Sequence, residues 1–230
     1  AICYSCAEAL DMARVSEGDE AKAWSERAGL ITPIAKAFAT DIGLEVASLG
    51  VQVHGGMGFI EETGAARLLR DARIAPIYEG TNGIQAIDLV MRKLPLSNGE
   101  TVAAFIADFK ADAEAARASN SPAFEGVADR LDQAIADLES ATAYMQSALA
   151  DGRQTDALSG ATPYLRLFGL TATTAMLVRG ALADMDAPES AGRAALARFA
   201  AANLAPETKG LAASATAGAE CLADASAALA

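Results

Sequence analysis

Cysteine, histidine and aromatic residues are scarce in this sequence, and the shortage of cysteine and histidine argues against a metal site. The 230 residues include three cysteines, one histidine and one tryptophan. Cys3 and Cys6 form a pair, but no second Cys or His pair follows at zinc spacing, so we expect no metal site. A helix would place both thiols on one face, where they are interpreted as small buried hydrophobic residues. Such cysteine usage favours a reduced, cytoplasmic compartment.

Positive charge and long apolar runs are lacking as well. The 18 Lys and Arg residues are outnumbered by 30 Asp and Glu residues, which gives a net charge of −12. Phosphate contacts need a clustered basic surface, so we expect no nucleic-acid partner. No apolar segment reaches the length of a bilayer span, and no signal peptide is visible. The first residue is Ala1 rather than Met, and we expect the chain to be a piece of a longer protein.

Helix-forming residues dominate what is present. Hydrophobic residues make up 52% of the chain, Ala is abundant in the second half, and β-branched runs are short. This composition predicts an all-α fold. The turn-forming stretch Pro95–Asn98 separates two helical regions. We therefore expect an antiparallel helical bundle over residues 1–95 and a second helical bundle, an extension domain, over residues 96–230.

In the first region, helices are predicted at residues 1–14, from about Glu20 to the glycine pair at 55–56, at residues 65–72, and after Thr81 as N-cap. Pro33 either starts a new helix or kinks a single long one. Two apolar stripes at helical spacing are predicted to be buried. The first comprises Phe38, Ile42, Val46, Leu49 and Val53, and the second Ile84, Ile87, Met91 and Leu94.

The second region shows apolar spacing typical of bundle helices and no group suited to catalysis. Further helices are predicted at residues 163–184, 188–203 and 206–229, and we interpret the whole region as scaffold. Its predicted buried positions are Val102, Phe105, Ile106 and Phe109 on one helix, and Val127, Leu131, Ile135, Leu138, Thr142, Met145 and Leu149 on the next.

Glu79 is the best candidate for chemistry. It follows Pro76 in an apolar segment with Ile77 and Tyr78, and it precedes a glycine and a helix start. A carboxylate in apolar surroundings is a stronger base than one in water, which suits proton abstraction. The nearby helix N-terminus would act in the opposite direction by favouring the anion. The alternative is an ordinary acidic residue ahead of a helix.

Glycines near the only histidine offer a second candidate. Gly55, Gly56 and Gly58 could let the backbone approach a phosphate or a planar ring, although loop flexibility explains them equally simply. His54 could stack on a ring or donate a hydrogen bond, or it could cap the preceding helix.

Three arginines at helical spacing, Arg67, Arg70 and Arg73, offer a third. They could grip an anion, or they could form a solvated face paired with neighbouring carboxylates. Those carboxylates would be Glu61, Glu62 and Asp71.

The combination of these features is more specific than any one of them. The segment GGMGFIEETGAARLLRDARIAPIYEGTNGIQ, residues 55–85, closely resembles the C-terminal signature of the acyl-CoA dehydrogenase family. The likeness extends over roughly residues 1–94. Residues 96–230 resemble, more loosely, the helical extension of some larger bacterial members.

The resemblance implies a flavoenzyme that converts an acyl-CoA thioester to a trans-2-enoyl-CoA. By that analogy Glu79 is the base that takes the α-proton while FAD receives the β-hydride, and Gly80 lies against the substrate. It also implies an electron-transferring flavoprotein as partner and a homodimer or homotetramer. The matching cofactor-binding positions are Gln52, Val53, His54, Gly55 and Gly56, toward a neighbouring subunit's FAD, and Thr81, Asn82 and Gly83, on the catalytic side of the flavin.

The chain departs from the family pattern at two positions. Met91 stands where many members carry an Arg, and Gly83 stands where a polar side chain is common. The family's N-terminal helical domain and middle β-domain do not match any part of the chain. Two alternatives are an acyl-CoA oxidase, which hands electrons to oxygen, and a non-catalytic helical interaction module that retains the signature.

Overall fold

A computed structural model describes residues 1–185, 187 and 190–229. Over those residues the secondary structure consists of helices and turns, with no β-strand, which confirms the all-α prediction. The helices are α1 Ile2–Val15, α2 Gly18–Val53, α3 Gly56–Phe59, α4 Ala65–Arg73, α5 Asn82–Asp88, α6 Glu100–Ala118, α7 Val127–Ala150, α8 Gln154–Ser159, α9 Ala161–Ala183, α10 Ser190–Phe199, α11 Thr208–Ala215 and α12 Glu220–Leu229.

Helix α2 is the longest element, and it decides between the two interpretations of Pro33. The helix runs for 36 residues with a buried Pro33 inside it, so one long helix is right and a new start at Pro33 is wrong. Proline has no amide hydrogen, and the carbonyl of Gly29 therefore loses its helical donor. At about 1.5 Å per residue the helix is roughly 54 Å long.

The core is continuous from one predicted region to the other. Buried residues of α2, α5, α6, α7 and α9 belong to a single apolar cluster. At its centre the rings of Phe105, Phe109 and Phe168 have centroids 4.8 to 6.4 Å apart. Helix α9 lies against α2, α6 and α7. The division of the chain near residue 95 stays a prediction, because a continuous core neither requires nor forbids two domains.

The connection between the regions is a tight turn. Ser97 and Asn98 have φ values of 43° and 55°, a left-handed conformation that non-glycine residues rarely adopt. The carboxylate of Glu26 in α2 accepts hydrogen bonds from Thr101 Oγ1 at 2.6 Å and from Ser97 Oγ at 2.7 Å. These hydroxyls lower the pKa of Glu26. Helix α2 thus fixes the turn that leads into α6.

The buried positions predicted for α6 and α7 are confirmed. All four positions predicted for α6 are buried, and so are the six positions predicted for α7 from Val127 to Met145. Leu149, at the end of α7, is partly buried against the same cluster. Both helices have neighbours on their apolar faces within this chain, so hydrophobic spacing alone identified the buried side.

The stripe predicted along the C-terminal half of α2 is wrong beyond Ile42. Phe38 is buried and Ile42 is partly buried, but Val46, Leu49 and Val53 are 59%, 62% and 85% exposed. The helical period correctly predicts that these side chains share a face. Nothing in the described part of the chain covers that face.

The stripe predicted after Thr81 also needs correction. Ile84 and Ile87 are 55% and 41% exposed, while Leu94 is buried together with Ala86, Leu89 and Val90. The helix is apolar on both sides, and residues Leu89–Lys93 form a π turn in which Leu94 N donates to Leu89 O. A π turn contains one more residue than an α turn and shifts the phase of the pattern. Of the predicted stripe, Leu94 is therefore buried and Met91 half-buried, whereas Ile84 and Ile87 lie on the apolar face that the core does not use.

One prediction near the C-terminus and one at the N-terminus also differ from the structure, and the start of a further predicted helix falls outside the described residues. The helix predicted over 206–229 is two helices, separated by a turn at Gly218 with a φ of 77°. The helix predicted from Pro188 is described only from Ser190, since residue 188 lies outside the described residues. Cys3 is exposed rather than buried, and Cys6 is half-buried. No helix in the described ranges is long and apolar enough to cross a membrane.

Tyr164 gives a test of the core that does not depend on function. Thr142 Oγ1 donates to the carbonyl of Leu138, so the fully buried Tyr164 hydroxyl donates to Thr142 at 2.8 Å. Burial raises the pKa of the Tyr164 hydroxyl far above its ordinary value. An acid whose pKa is raised by folding contributes stability that is present below its unfolded pKa, about 10 for tyrosine, and is lost as the pH rises above it.

Tyr164→Phe is accordingly expected to cost about 1 kcal/mol at neutral pH through the lost hydrogen bond. It should also make the free energy of unfolding less dependent on pH above about 10, because phenylalanine does not ionise. Denaturant titrations from pH 8 to pH 11 measure both effects. Equal slopes against pH in the two proteins would contradict the prediction.

Candidate functional site

Glu79 lies on a turn between α4 and α5. The amides of Ile77 and Tyr78 donate to the carbonyl of Ile74, and the amide of Asn82 donates to Pro76 O. Glu79 has a φ of 54° and Gly80 a φ of 87°. Two consecutive left-handed residues, one of them not glycine, are uncommon and are held in place by their surroundings.

The Glu79 side chain is exposed and forms no ion pair with any described residue. Its apolar neighbours are present as predicted, but they are exposed too: Ile74, Ile77, Tyr78 and Ile84 are between 45% and 56% exposed. Glu79 is therefore close in sequence to several apolar residues, but the described part of this chain does not shield it or them from water.

A network of polar side chains joins the Glu79 turn to α2. Lys36 Nζ donates to Gly80 O at 2.9 Å and to Asn82 Oδ1 at 2.8 Å. Asn82 Nδ2 lies 2.7 Å from Asp41 Oδ1, 2.9 Å from Thr40 Oγ1 and 3.1 Å from Ala37 O. The side chains of one turn of α2 thus fix the position of the residues just after Glu79.

This network limits what two of the predicted binding residues can do. Both polar atoms of the Asn82 side chain are already hydrogen-bonded within the chain, and its backbone amide donates to Pro76 O. Thr81 occupies the predicted N-cap position of α5, but the cap is made by its carbonyl and its side chain forms no capping bond. Gly80 and Gly83 are exposed. Their roles toward substrate and cofactor stay predictions.

The second group of predicted cofactor-binding residues lies at the other end of α2. Gln52, Val53, His54, Gly55 and Gly56 are all exposed. Asn82 bonds to α2 near Thr40, and fourteen residues of helix separate Thr40 from His54, a distance of roughly 20 Å. The structure does not bring the two groups together around one point.

His54 and Gly55 end α2. His54 is the C-cap residue of α2, and its Nδ1 lies 2.9 Å from the carbonyl oxygen of Gly50. Within this chain His54 therefore caps the preceding helix, as one of the two interpretations predicted. Gly55 adopts a φ of 60°, which glycine accommodates without strain. A Cβ added to Gly55 or Gly56 would meet no atom within 4 Å. The backbone there is open to the close approach of a flat or phosphate-bearing group, as the predicted cofactor contact requires.

Gly58 has a different reason to be glycine. It is buried, and an added Cβ would lie 2.8 Å from His54 Cβ and closer still to the carbonyl oxygen of Val51. The glycine therefore lets α3 pack tightly against the end of α2.

Gly58→Ala is expected to destabilise this corner by about 1 kcal/mol, because the Val51 carbonyl cannot move without disturbing α2. Gly56→Ala is the matched control, since its Cβ would point into open space. Amide hydrogen exchange over residues 50–60 should become faster in Gly58→Ala and stay close to the unchanged protein in Gly56→Ala. Equal exchange in the two variants would disprove the packing argument.

The arginine run forms ion pairs within the chain. Arg70 makes a two-pronged contact with Glu61 at 2.7 and 2.8 Å, and Arg67 lies 3.6 Å from Asp71. All four side chains are more than half exposed. The interpretation as a solvated, paired face is right for these two arginines.

The residues that sequence analysis missed are those of α2 that hold the Glu79 turn. Lys36, Thr40 and Asp41 lie more than 40 residues from their partner Asn82. The one available signal was that polar residues at positions 36 and 40 share a helix face, but many exposed helices show the same spacing.

A cleft of about 440 Å³ lies between the start of α2 and the start of α6, away from Glu79. It is lined by Trp24, Glu26, Arg27 and Thr101, among others. Glu26 is bonded to hydroxyls and Arg27 is paired with Asp108 at 2.6 Å. These two charged groups of the cleft therefore already have partners within the chain.

Two protein-family models match the chain. Residues 1–94 match the acyl-CoA dehydrogenase C-terminal domain, and residues 100–226 match a domain described as acetyl-CoA dehydrogenase C-terminal like. The two matches meet at the turn between α5 and α6. Together they include Glu79 and most of the helices that follow.

Named relatives are acyl-CoA dehydrogenases from several organisms. The chain is 43% identical over 166 residues to 3-methylmercaptopropionyl-CoA dehydrogenase of Ruegeria pomeroyi, a match that covers 72% of this chain and 28% of that protein. It is 35% identical over 109 residues to a butyryl-CoA dehydrogenase of Syntrophomonas wolfei, covering 47% of this chain and 18% of the relative. A third relative is acyl-CoA dehydrogenase family member 11 of Caenorhabditis elegans, 33% identical over 87 residues, covering 38% of this chain and 14% of the relative.

The chain therefore spans less than a third of the length of these relatives. Both family models nevertheless concern the same group of enzymes, and between them they account for almost the whole sequence. The chain belongs to the acyl-CoA dehydrogenase family.

Proposed function

We propose that this chain is the C-terminal part of a longer, flavin-dependent acyl-CoA dehydrogenase that converts an acyl-CoA to a trans-2-enoyl-CoA, with Glu79 as the base. The observation that carries the proposal is the presentation of Glu79. The turn holds an unpaired carboxylate outward among four exposed apolar side chains. A surface of this kind is unusual for a protein that acts alone, and it fits a face completed by further domains.

The chemistry assigned to this chain is the removal of one proton. Glu79 accepts the α-proton of the thioester, for which the carboxylate must be ionised, unpaired and close to the α-carbon. Once the surface is covered, Ile74, Ile77 and Tyr78 exclude water from the carboxylate. Bound FAD supplies the acceptor for the two electrons that leave with the β-hydrogen. Gly80 lets the backbone approach the substrate without a side chain between them.

The separation of the two predicted cofactor-binding groups supports an oligomer. Residues 81–83 lie beside Glu79, whereas residues 52–56 lie roughly 20 Å away along α2. One flavin ring cannot lie against both groups, and we propose, in line with the family resemblance, that residues 52–56 contact FAD held by a neighbouring subunit. Exposed Val46, Leu49 and Val53 form an apolar face that such a neighbour would cover. A homodimer or homotetramer provides this contact.

The proposal is tested by anaerobic reduction of the purified longer protein with acyl-CoA thioesters. The panel includes butyryl-CoA and 3-methylmercaptopropionyl-CoA, after the names of the relatives, together with branched and aromatic acyl groups. The expected result is loss of flavin absorbance with at least one thioester and formation of the enoyl product. A colourless protein that stays colourless with added FAD would instead support a non-catalytic interaction module.

The electron acceptor is tested in the same preparation. A dehydrogenase passes electrons to an electron-transferring flavoprotein or a dye, whereas an acyl-CoA oxidase produces one hydrogen peroxide for each enoyl-CoA. We expect rapid reduction of the dye or flavoprotein and little peroxide in air. Stoichiometric peroxide would assign the oxidase activity.

A further inference from the structure

The geometry points to Lys36 as a positioning residue for the catalytic base: it holds the turn on which Glu79 lies without pairing with Glu79 itself. This inference rests on the proposed function, because a fixed turn affects catalysis only if Glu79 takes the proton. It concerns a residue on another helix, 43 positions away in the sequence.

Lys36 contacts the turn on both sides of Glu79. Its ammonium group donates to Gly80 O at 2.9 Å and to Asn82 Oδ1 at 2.8 Å, and it lies 6.0 Å from the centre of the Tyr78 ring. Tyr78 precedes Glu79, and Gly80 and Asn82 follow it. One half-buried side chain thus bridges the residues that flank the base.

The turn needs such a contact. Left-handed backbone at Glu79 and Gly80 is sparsely populated in an unconstrained chain, so the conformation persists only if other bonds hold it. The remaining side-chain bond to this part of the backbone, from Gln85 Nε2 to Glu79 O, is long at 3.4 Å. Lys36 is the only described side chain that donates to the carbonyl of Gly80.

Lys36 also leaves the base unpaired. A lysine this close could have formed an ion pair with Glu79, which would compete with proton abstraction. Instead, the ion pairs among the described residues include other lysines but no pair within 4.0 Å between Lys36 Nζ and the Glu79 carboxylate. The carbonyl oxygen of Gly80 and the side-chain oxygen of Asn82 hold the ammonium group on the residues that follow Glu79.

The first test measures the turn without requiring activity. In Lys36→Met, amide exchange over residues 76–85 is expected to become about tenfold faster, because opening of the turn no longer breaks two hydrogen bonds. Lys22→Met is the matched control on the same helix, where the exposed lysine pairs only with Glu26; exchange over residues 76–85 should not change. Unchanged exchange in Lys36→Met would overturn the inference.

The second test separates positioning from folding. Lys36→Met in the longer enzyme is expected to lower kcat by about 10–100-fold with KM nearly constant, since misplacement of a base slows the chemical step more than it weakens binding. The kinetic isotope effect with α-deuterated substrate should rise as proton abstraction becomes limiting. Lys36→Arg, which keeps the charge and the donors, should recover most of the lost rate.

Two outcomes of the kinetic test would overturn the inference: a wild-type kcat in Lys36→Met, or an equal loss of kcat in Lys36→Met and Lys36→Arg. If Lys36→Met does not fold, Lys36→Gln replaces it, because the amide can still donate one hydrogen bond and should give an intermediate exchange rate. A full-length protein without any dehydrogenation would refute the proposed function instead. The exchange measurement would still decide whether Lys36 holds the turn.

Discussion

Glu79→Gln in the longer enzyme is expected to lower kcat by about 10²–10⁴-fold, a loss of roughly 3–5 kcal/mol in transition-state stabilisation. Glutamine has nearly the same shape as glutamate, so the turn and its bonds to Lys36 should persist. The amide cannot accept the α-proton, however, and the first step of the reaction has no base. The measurement is single-turnover reduction of the flavin by an acyl-CoA.

Glu62→Gln is the matched control for this experiment. Glu62 is another exposed glutamate of the same region, and it forms no ion pair with a described residue. Its substitution should leave turnover unchanged. Binding of an enoyl-CoA product should be similar in both variants, because neither changes the shape of the site. Normal turnover of Glu79→Gln would remove Glu79 from the mechanism, whatever the family membership of the chain.

The comparison of α7 with α2 explains which buried residues could be predicted from the sequence. Both helices carry a clean apolar stripe, and in α7 the buried residues from Val127 to Met145 follow it closely. In α2 the same type of pattern leads to exposed Leu49 and Val53. Periodicity defines a face of the helix and not the partner that covers it. The prediction was right where the partner belongs to this chain.

Backbone irregularities account for the other errors in the fold. The π turn at Leu89–Lys93 affects the phase of the buried pattern only from Leu94 onward, and Ile84 and Ile87 ahead of it lie on the other side of a helix that is apolar on both. The turn at Gly218 divides a segment that otherwise has strong helix propensity. Each feature involves only a few residues, and neither has a distinct signature in the sequence.

The sequence motif located the candidate site but not its construction. It identified Glu79 and the glycines at residues 55–56 as notable positions. The left-handed φ of Glu79 and its connection to Lys36 depend on contacts between residues more than 40 positions apart. Asn82, which the family resemblance assigned to the cofactor, uses its side chain to anchor the turn to α2. Roles inferred from a motif thus need the contacts of each side chain before they are accepted.

Gly169→Ala is expected to destabilise the protein by about 2 kcal/mol, although alanine favours helix more than glycine does. Gly169 lies where α9 crosses α2, and an added Cβ would have three ring carbons of Phe38 at 2.8 Å or less. Phe38 is itself buried, at 7% exposure, so its ring has little room to move. The free energy of unfolding, measured with denaturant, gives the size of the effect.

Gly180→Ala makes the same chemical change eleven residues further along α9 and should have the opposite sign. Its Cβ would meet no atom of the described residues within 4 Å, so helix propensity alone should stabilise the protein by about 0.5–1 kcal/mol. Phe38→Leu combined with Gly169→Ala should recover part of the loss, because the smaller side chain leaves space for the new methyl group. Two results would show that contact with Phe38 is not what requires a glycine at position 169. One is a destabilisation of similar size in Gly169→Ala and Gly180→Ala. The other is a loss of stability in the double variant equal to the sum of the losses in Gly169→Ala and Phe38→Leu.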